Sequence, residues 1–158
     1  MNMKGKQLLI VGIAAIFSLA GCKKELDFGE GQVYTVLELN NGCKVKCPKD
    51  AYWENKTITA RGTYFPPDGY IVYAAKNDEP SFLMLSDVDN HGVVMTVEVN
   101  GPTNDAQTRN NILQYMEAHP YQICTITGTG GVEEHPMNFS CEKVLKLMIS
   151  DTSDIQYQ

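Results

Sequence analysis

Asp87-Val88-Asp89-Asn90-His91-Gly92, followed after five residues by Glu98, comes nearest in this chain to a recognisable chemical pattern. Calcium takes roughly six to eight oxygen ligands and needs a glycine for the sharp turn between them. Asp87, Asp89 and Glu98 would stand at loop positions one, three and twelve, with Gly92 at position six. His91 at position five puts a nitrogen where an oxygen belongs, and both flanks read as strands instead of helices. A polar hairpin turn accounts for the same residues. The expectation is a turn, with calcium on Asp87, Asp89 and Glu98 as the alternative and no other cofactor.

Other chemistry is thinly represented. The sequence contains no G-x-S-x-G elbow, no H-E-x-x-H zinc motif and no phosphate-binding glycine loop. Gly128-Thr129-Gly130-Gly131 is rich in glycine, but Glu133 and Glu134 follow it and would repel a phosphate, so it reads as a flexible hairpin end. His91, His119 and His135 are scattered, each beside a turn or a proline, with no partner in sequence for general-base or nucleophilic work. The chain is read as non-catalytic.

The elements that would position any site begin after an export segment. Lys4 and Lys6 give it a positive start, Leu8 to Phe17 an apolar run, and Ala20 and Gly21 small residues before Cys22. That run is too short to cross a hydrocarbon core of ~30 Å as a helix. Leu19-Ala20-Gly21-Cys22 resembles the lipobox of bacterial lipoproteins. The resemblance implies cleavage before Cys22, lipid on its thiol, and attachment to the outer membrane of a Gram-negative envelope without a spanning helix. Residues 22–31 then read as anchor and tether.

With Cys22 assigned to lipid, Cys43, Cys47, Cys124 and Cys141 remain. An even number in an oxidising compartment suggests two disulfides, with three possible connectivities. Cys43–Cys47, which are local, and Cys124–Cys141, across a hairpin, are the favoured pairs. A redox-active pair is disfavoured because Cys43 and Cys47 lack the two-residue spacing of the thioredoxin motif.

The whole chain carries a formal charge of -6. Removing the signal takes away two lysines and no acid, leaving a still more acidic domain. Nucleic-acid affinity rests on neutralising phosphates with Lys and Arg, so such a partner is not expected.

From residue 32 to residue 150 the pattern is that of one β-rich domain. Val33 to Leu39 is apolar and β-branched, and Asn40-Asn41-Gly42 supplies a turn before Cys43 to Cys47, which predicts an N-terminal hairpin. Lys56 to Phe65 alternates with period two, Pro66-Pro67-Asp68-Gly69 turns, and Tyr70 to Ala75 is extended. Ser81 to Asp87 and Val93 to Asn100 are strands. Asn104 to Ala118 is a helix with Ile112, Leu113 and Met116 as its apolar stripe. Gln122 to Thr129 and Met137 to Met148 form a last pair, and 151–158 is a polar tail that either frays or adds a short edge strand at Ile155 and Tyr157.

Three strands, a helix and two strands resemble an OB-fold, the five-stranded Greek-key barrel. Thr57-Ile58-Thr59-Ala60-Arg61-Gly62-Thr63, Phe82-Leu83-Met84-Leu85-Ser86-Asp87 and Cys124-Thr125-Ile126-Thr127-Gly128-Thr129 carry the resemblance. The return strand Asn138-Phe139-Ser140-Cys141-Glu142-Lys143-Val144 is similar to that of the secreted tRNA-anti-like OB-fold proteins. The resemblance implies a ligand face on the second and third barrel strands and their loops. On this chain that face would include Tyr64, Phe65, Tyr70 and Tyr73, together with Phe82, Met84 and Met95. About half of them must point inward to fill a barrel. Tyr52 and Trp53 are expected to plug one end of it. The function expected is binding, to a protein partner in an envelope assembly, or alternatively to a small molecule or oligosaccharide.

Overall fold

The computed structural model describes residues 25–64, 81–99, 106–137 and 140–158. The lipobox and signal segment, Phe65, the turn at 66–69 and the Tyr70 to Ala75 stretch lie outside the described residues. The chain is mainly β, with eight strands and two α-helices among the described residues.

The sheet closes on itself. Strand β3 (Thr57–Tyr64) pairs with β4 (Ser81–Ser86), and β4 pairs with β5 (Val94–Val99), both antiparallel. Helix α2 (Ala106–Glu117) then leads to β6 (Ile123–Met137) and its hairpin partner β7 (Ser140–Ile149). Strand β7 lies parallel to β5, and β6 returns to β3 through seven residue pairs from Thr57↔Thr129 to Thr63↔Ile123. Period-two alternation decides what enters the ring. Ile58 and Ala60, Leu83 and Leu85, Met95 and Val97, Cys124 and Ile126, and Leu145 and Leu147 are all buried.

Close approach of backbones shapes the closure. A Cβ on Gly128 would lie 2.4 Å from the Met148 carbonyl oxygen, and one on Gly130 would lie 2.3 Å from that of Trp53. Only a residue without a side chain fits there. Trp53 is fully buried and donates its indole N–H to the Gly131 carbonyl at 3.1 Å. On α2 the expected stripe of Ile112, Leu113 and Met116 is buried, and Met116 accepts the Tyr157 hydroxyl at 3.1 Å.

The N-terminal hairpin expected from Val33 to Cys47 is replaced by strand, helix, strand. Only Val33–Thr35 is extended (β1), pairing in parallel with β3, and Val36–Gly42 is helix α1. Thr35 starts that helix with a reciprocal capping box to Glu38, and Val36 and Leu39, three residues apart, are buried. A cap and one buried helical face outweigh the β-branched preference. Lys44–Lys46 forms β2, which pairs with β7 and not with β1.

At the two ends, the tether is corrected, and of the two readings of the tail the edge strand is the one that forms. Leu26 and Phe28, placed in the tether, pack against the core. The tail is ordered as a 3-10 turn at Thr152–Asp154 and strand β8 at Ile155–Tyr157, which pairs with β6 and buries Ile155.

The disulfide pairing is also corrected. Cys47 bonds Cys141 with Cα atoms 5.3 Å apart, while Cys43 and Cys124 are free and buried. Cys43 and Cys47 flank an extended strand, and four residues at about 3.3 Å each exceed the reach of a bridge. Cys141 faces Pro136 on β6, far along the strand from Cys124, which stands beside Gly62 and Tyr157. Cross-strand register puts Cys47 next to Cys141, since Lys46 pairs with Glu142.

A bridge across 94 residues restricts the unfolded chain by about 4–5 kcal/mol in the loop-entropy description. The unreduced domain is expected to show two titratable thiols on unfolding, Cys43 and Cys124, and Cys141→Ser should lower the urea midpoint sharply. Two bridges by intact mass, or an unchanged midpoint, would contradict this pairing.

Candidate binding face on the outside of the ring

Register lays out the outer face of β4, β5 and β7 in two rows. Met84 stands opposite Thr96 and Thr96 opposite Lys146, while Phe82 stands opposite Glu98 and Glu98 opposite Met148. Phe82 and Met84 are 48% and 45% exposed, large values for apolar side chains on a sheet. Between them the sheet holds charge: the Lys146 ammonium hydrogen-bonds the Glu98 carboxylate, and Glu98 is buried. A shielded ion pair beside exposed apolar side chains gives the face both a contact area and a polar register mark.

Of the residues expected to form a ligand face, Phe82 and Met84 are thus together and outward. Met95 is buried within the ring because it pairs with Leu85, an inward position. Tyr64 is buried at the end of β3, where its carbonyl accepts the Tyr121 N–H at 2.9 Å. Phe65, Tyr70 and Tyr73 lie outside the described residues. Sequence reading missed Thr96, Glu98 and Met148 as members of this face. Alternation along Val144, Lys146 and Met148 was the available signal, but it needed the β5–β7 register to place it.

The loop from Asp87 to Gly92 is a tight turn between β4 and β5. Asp87 is only 2% exposed. One carboxylate oxygen accepts the Asp89 and Asn90 N–H groups at 3.1 Å, and the other accepts the Leu37 N–H at 2.8 Å in the first turn of α1. Glu98 is engaged with Lys146 on the sheet. The carboxylates expected as calcium ligands therefore serve two different local structures. Among the described residues, Cys47, Glu134 and Cys141 form a group of potential metal ligands, but both of its sulfurs are in the disulfide.

The free thiols are core groups. Burial pushes Cys43 up to about 12, moderated by its hydrogen bond with Tyr52, and pushes Cys124 up to about 11. Neither supplies a thiolate near neutral pH. Tyr52 is likewise raised by burial to about 12. Histidines stay apart: His91 in the β4–β5 turn, His119 stacked on Tyr157 at 4.4 Å, and His135 beside Glu133 on β6.

No family model and no curated protein matches the sequence. Among solved structures, the chain is similar to a Plasmodium falciparum SSB in complex with ssDNA, with 11% identity and a TM-score of 0.39. That match covers 65% of this chain and 93% of the other. It is also similar to an aspartyl tRNA synthetase from Entamoeba histolytica, with 16% identity and a TM-score of 0.41, over 85% of this chain but 26% of the synthetase. The exclusion of a nucleic-acid partner on net charge is withdrawn, because the first of these neighbours is itself a complex with single-stranded DNA.

Two outcomes test the local roles. Asp87→Ala should cost about 2 kcal/mol by stranding buried N–H groups, equally with and without calcium. A calcium-dependent rise in melting temperature that Glu98→Ala abolishes would restore the ion to this loop. The raised thiols and Tyr52 stay neutral in the fold while their unfolded counterparts ionise from about pH 9 upward. Stability is therefore complete below that pH and is lost as pH rises toward the folded values. A urea midpoint that does not move between pH 8 and pH 10.5 would refute it.

Proposed function

We propose that this protein is a non-catalytic, lipid-anchored binding module of the bacterial envelope, with an OB-fold barrel that docks a protein partner on its outer β4–β5–β7 face. The exposed pair Phe82 and Met84 carries the reading, because two large apolar side chains adjacent on one sheet face are costly unless something covers them.

Strand order supports the barrel type. Counted from β3, the ring runs first, second, third, fifth, fourth and back to first, with α2 between the third and fourth ring strands. That is the Greek-key order of an OB barrel, whose second and third strands present the binding face. Here those strands are β4 and β5.

Two features favour the envelope. The Cys47–Cys141 bridge ties the end of β2 to β7, and a structural disulfide of this kind persists in an oxidising compartment. The resemblance to a lipobox implies an acyl chain on Cys22, and Leu26, four residues on, is docked, its N–H donating to the Tyr52 hydroxyl oxygen at 3.0 Å. Four residues reach about 14 Å when fully extended, so the barrel would sit close against the bilayer instead of trailing on a long tether. A partner in the same membrane is then within reach.

A photoreactive side chain at position 84, introduced into the full chain in intact cells, tests the reading. One dominant protein adduct is expected, lost in Phe82→Ala and lost when Cys22→Ala releases the chain from the membrane. Both exposed-face variants should keep their stability within about 0.5 kcal/mol. Crosslinks to single-stranded DNA in place of protein, or none above background, would overturn it.

A further inference from the structure

A second surface, on the opposite strands of the ring, is built differently. The outward positions of β3 and β6 are nearly all threonine. Thr57 pairs with Thr129, Thr59 with Thr127, and Arg61 with Thr125. The Thr59 and Thr127 hydroxyls lie 2.9 Å apart, so they bond each other across the strands. Against this face lies the segment from Phe28 to Gln32, and the two enclose a cavity of about 480 Å³. That size falls in the range of small-molecule sites.

The segment forming the second wall is held in place. Phe28 stacks on Tyr52 with ring centres 5.8 Å apart and meets Tyr34 edge-on at 5.6 Å. Within it, the Gly29 N–H donates to the Asp27 carbonyl at 2.9 Å and the Gln32 N–H to the Gly29 carbonyl at 3.2 Å. Gly31 sits at φ +77, a left-handed conformation that turns the chain over the cavity. The Tyr34 hydroxyl hydrogen-bonds the Gln32 amide oxygen and orients that amide.

We propose that this cavity is a binding site for a neutral saccharide, distinct from the β4–β5–β7 face. The donor set selects the class. Among the described residues lining it Glu30 is the one that is charged, so an anion meets repulsion and a hard cation finds too few oxygens. Among the described residues Phe28 is the one large apolar lining side chain, too little for a lipid tail. Threonine hydroxyls both donate and accept, a carboxylate accepts from two adjacent hydroxyls, and an amide with its oxygen engaged still donates. A sugar ring offers matching hydroxyls on its edge and C–H groups on its face for the Phe28 ring.

Thr59→Val with Thr127→Val removes two hydroxyls while keeping the β-branched shape that suits a strand. The full chain, purified in detergent, is titrated by calorimetry and thermal shift against a panel of neutral oligosaccharides of glucose, galactose, mannose and N-acetylglucosamine. At least one should raise the melting temperature of the parent protein. The double valine variant should bind it about ten-fold more weakly with an unchanged melting temperature when free, and Glu30→Gln should also weaken it. Phe82→Ala should bind as the parent does, which separates this site from the protein-docking face. A panel with no binder, or equal binding by the double valine variant, overturns the proposal.

Discussion

Seven residue pairs between β3 and β6 turn an open sheet into a ring, and most of what this protein presents depends on that closure. A closed ring has an inside and an outside, so period two along every strand becomes a division between core and contact surface. The closure needs backbones to approach more closely than side chains permit. Gly128 against the Met148 carbonyl and Gly130 against Trp53 supply the room. Trp53 in turn is anchored by its bond to the Gly131 carbonyl, which joins the chain before β3 to the bend of β6. Glycines that read in sequence as a loose hairpin end are therefore inside a continuous strand.

Much of this was legible in the residues. Ile58, Ala60, Leu83, Leu85, Cys124 and Ile126 occupy alternate positions in β-branched runs, and burial follows that alternation. Helix α2 announced itself by a stripe at helical spacing. What failed to show were features decided by contacts distant in sequence. Val33 to Leu39 has strand composition, yet Asp87, far along the chain, accepts an N–H in the first turn of α1 and helps tip those residues into a helix. Cys47 was paired with its nearest neighbour in sequence, whereas β2 carries it across to β7. Met84 and Met95 looked alike as candidates for the ligand face. One residue of register separates an exposed contact from a core side chain.

The cysteines divide by their place in the sheet. Of the five in the sequence, two form a cross-strand bridge and two lie in the core. The core pair behaves as small apolar side chains, since burial keeps both thiols protonated well above neutrality. The bridge lies where β6 and β7 run beyond their pairing with the ring and only β2 supports them. A bond there holds the projecting hairpin to the N-terminal segment.

Groove and ring meet in residues 26 to 35. Leu26 packs against Gly42, Phe28 stacks on Tyr52, and β1 then joins β3 in parallel. The same ten residues therefore tie the N-terminal segment to the ring and form one wall of the threonine-lined cavity. Strand order keeps that cavity apart from Phe82 and Met84, because β3 and β6 carry one surface while β4, β5 and β7 carry the other. The two surfaces share no side chains, so whatever occupies one leaves the other free. Docking of the Leu26–Gln32 segment is the condition for the second surface, for without it the cavity loses a wall and β3 keeps only its threonine face.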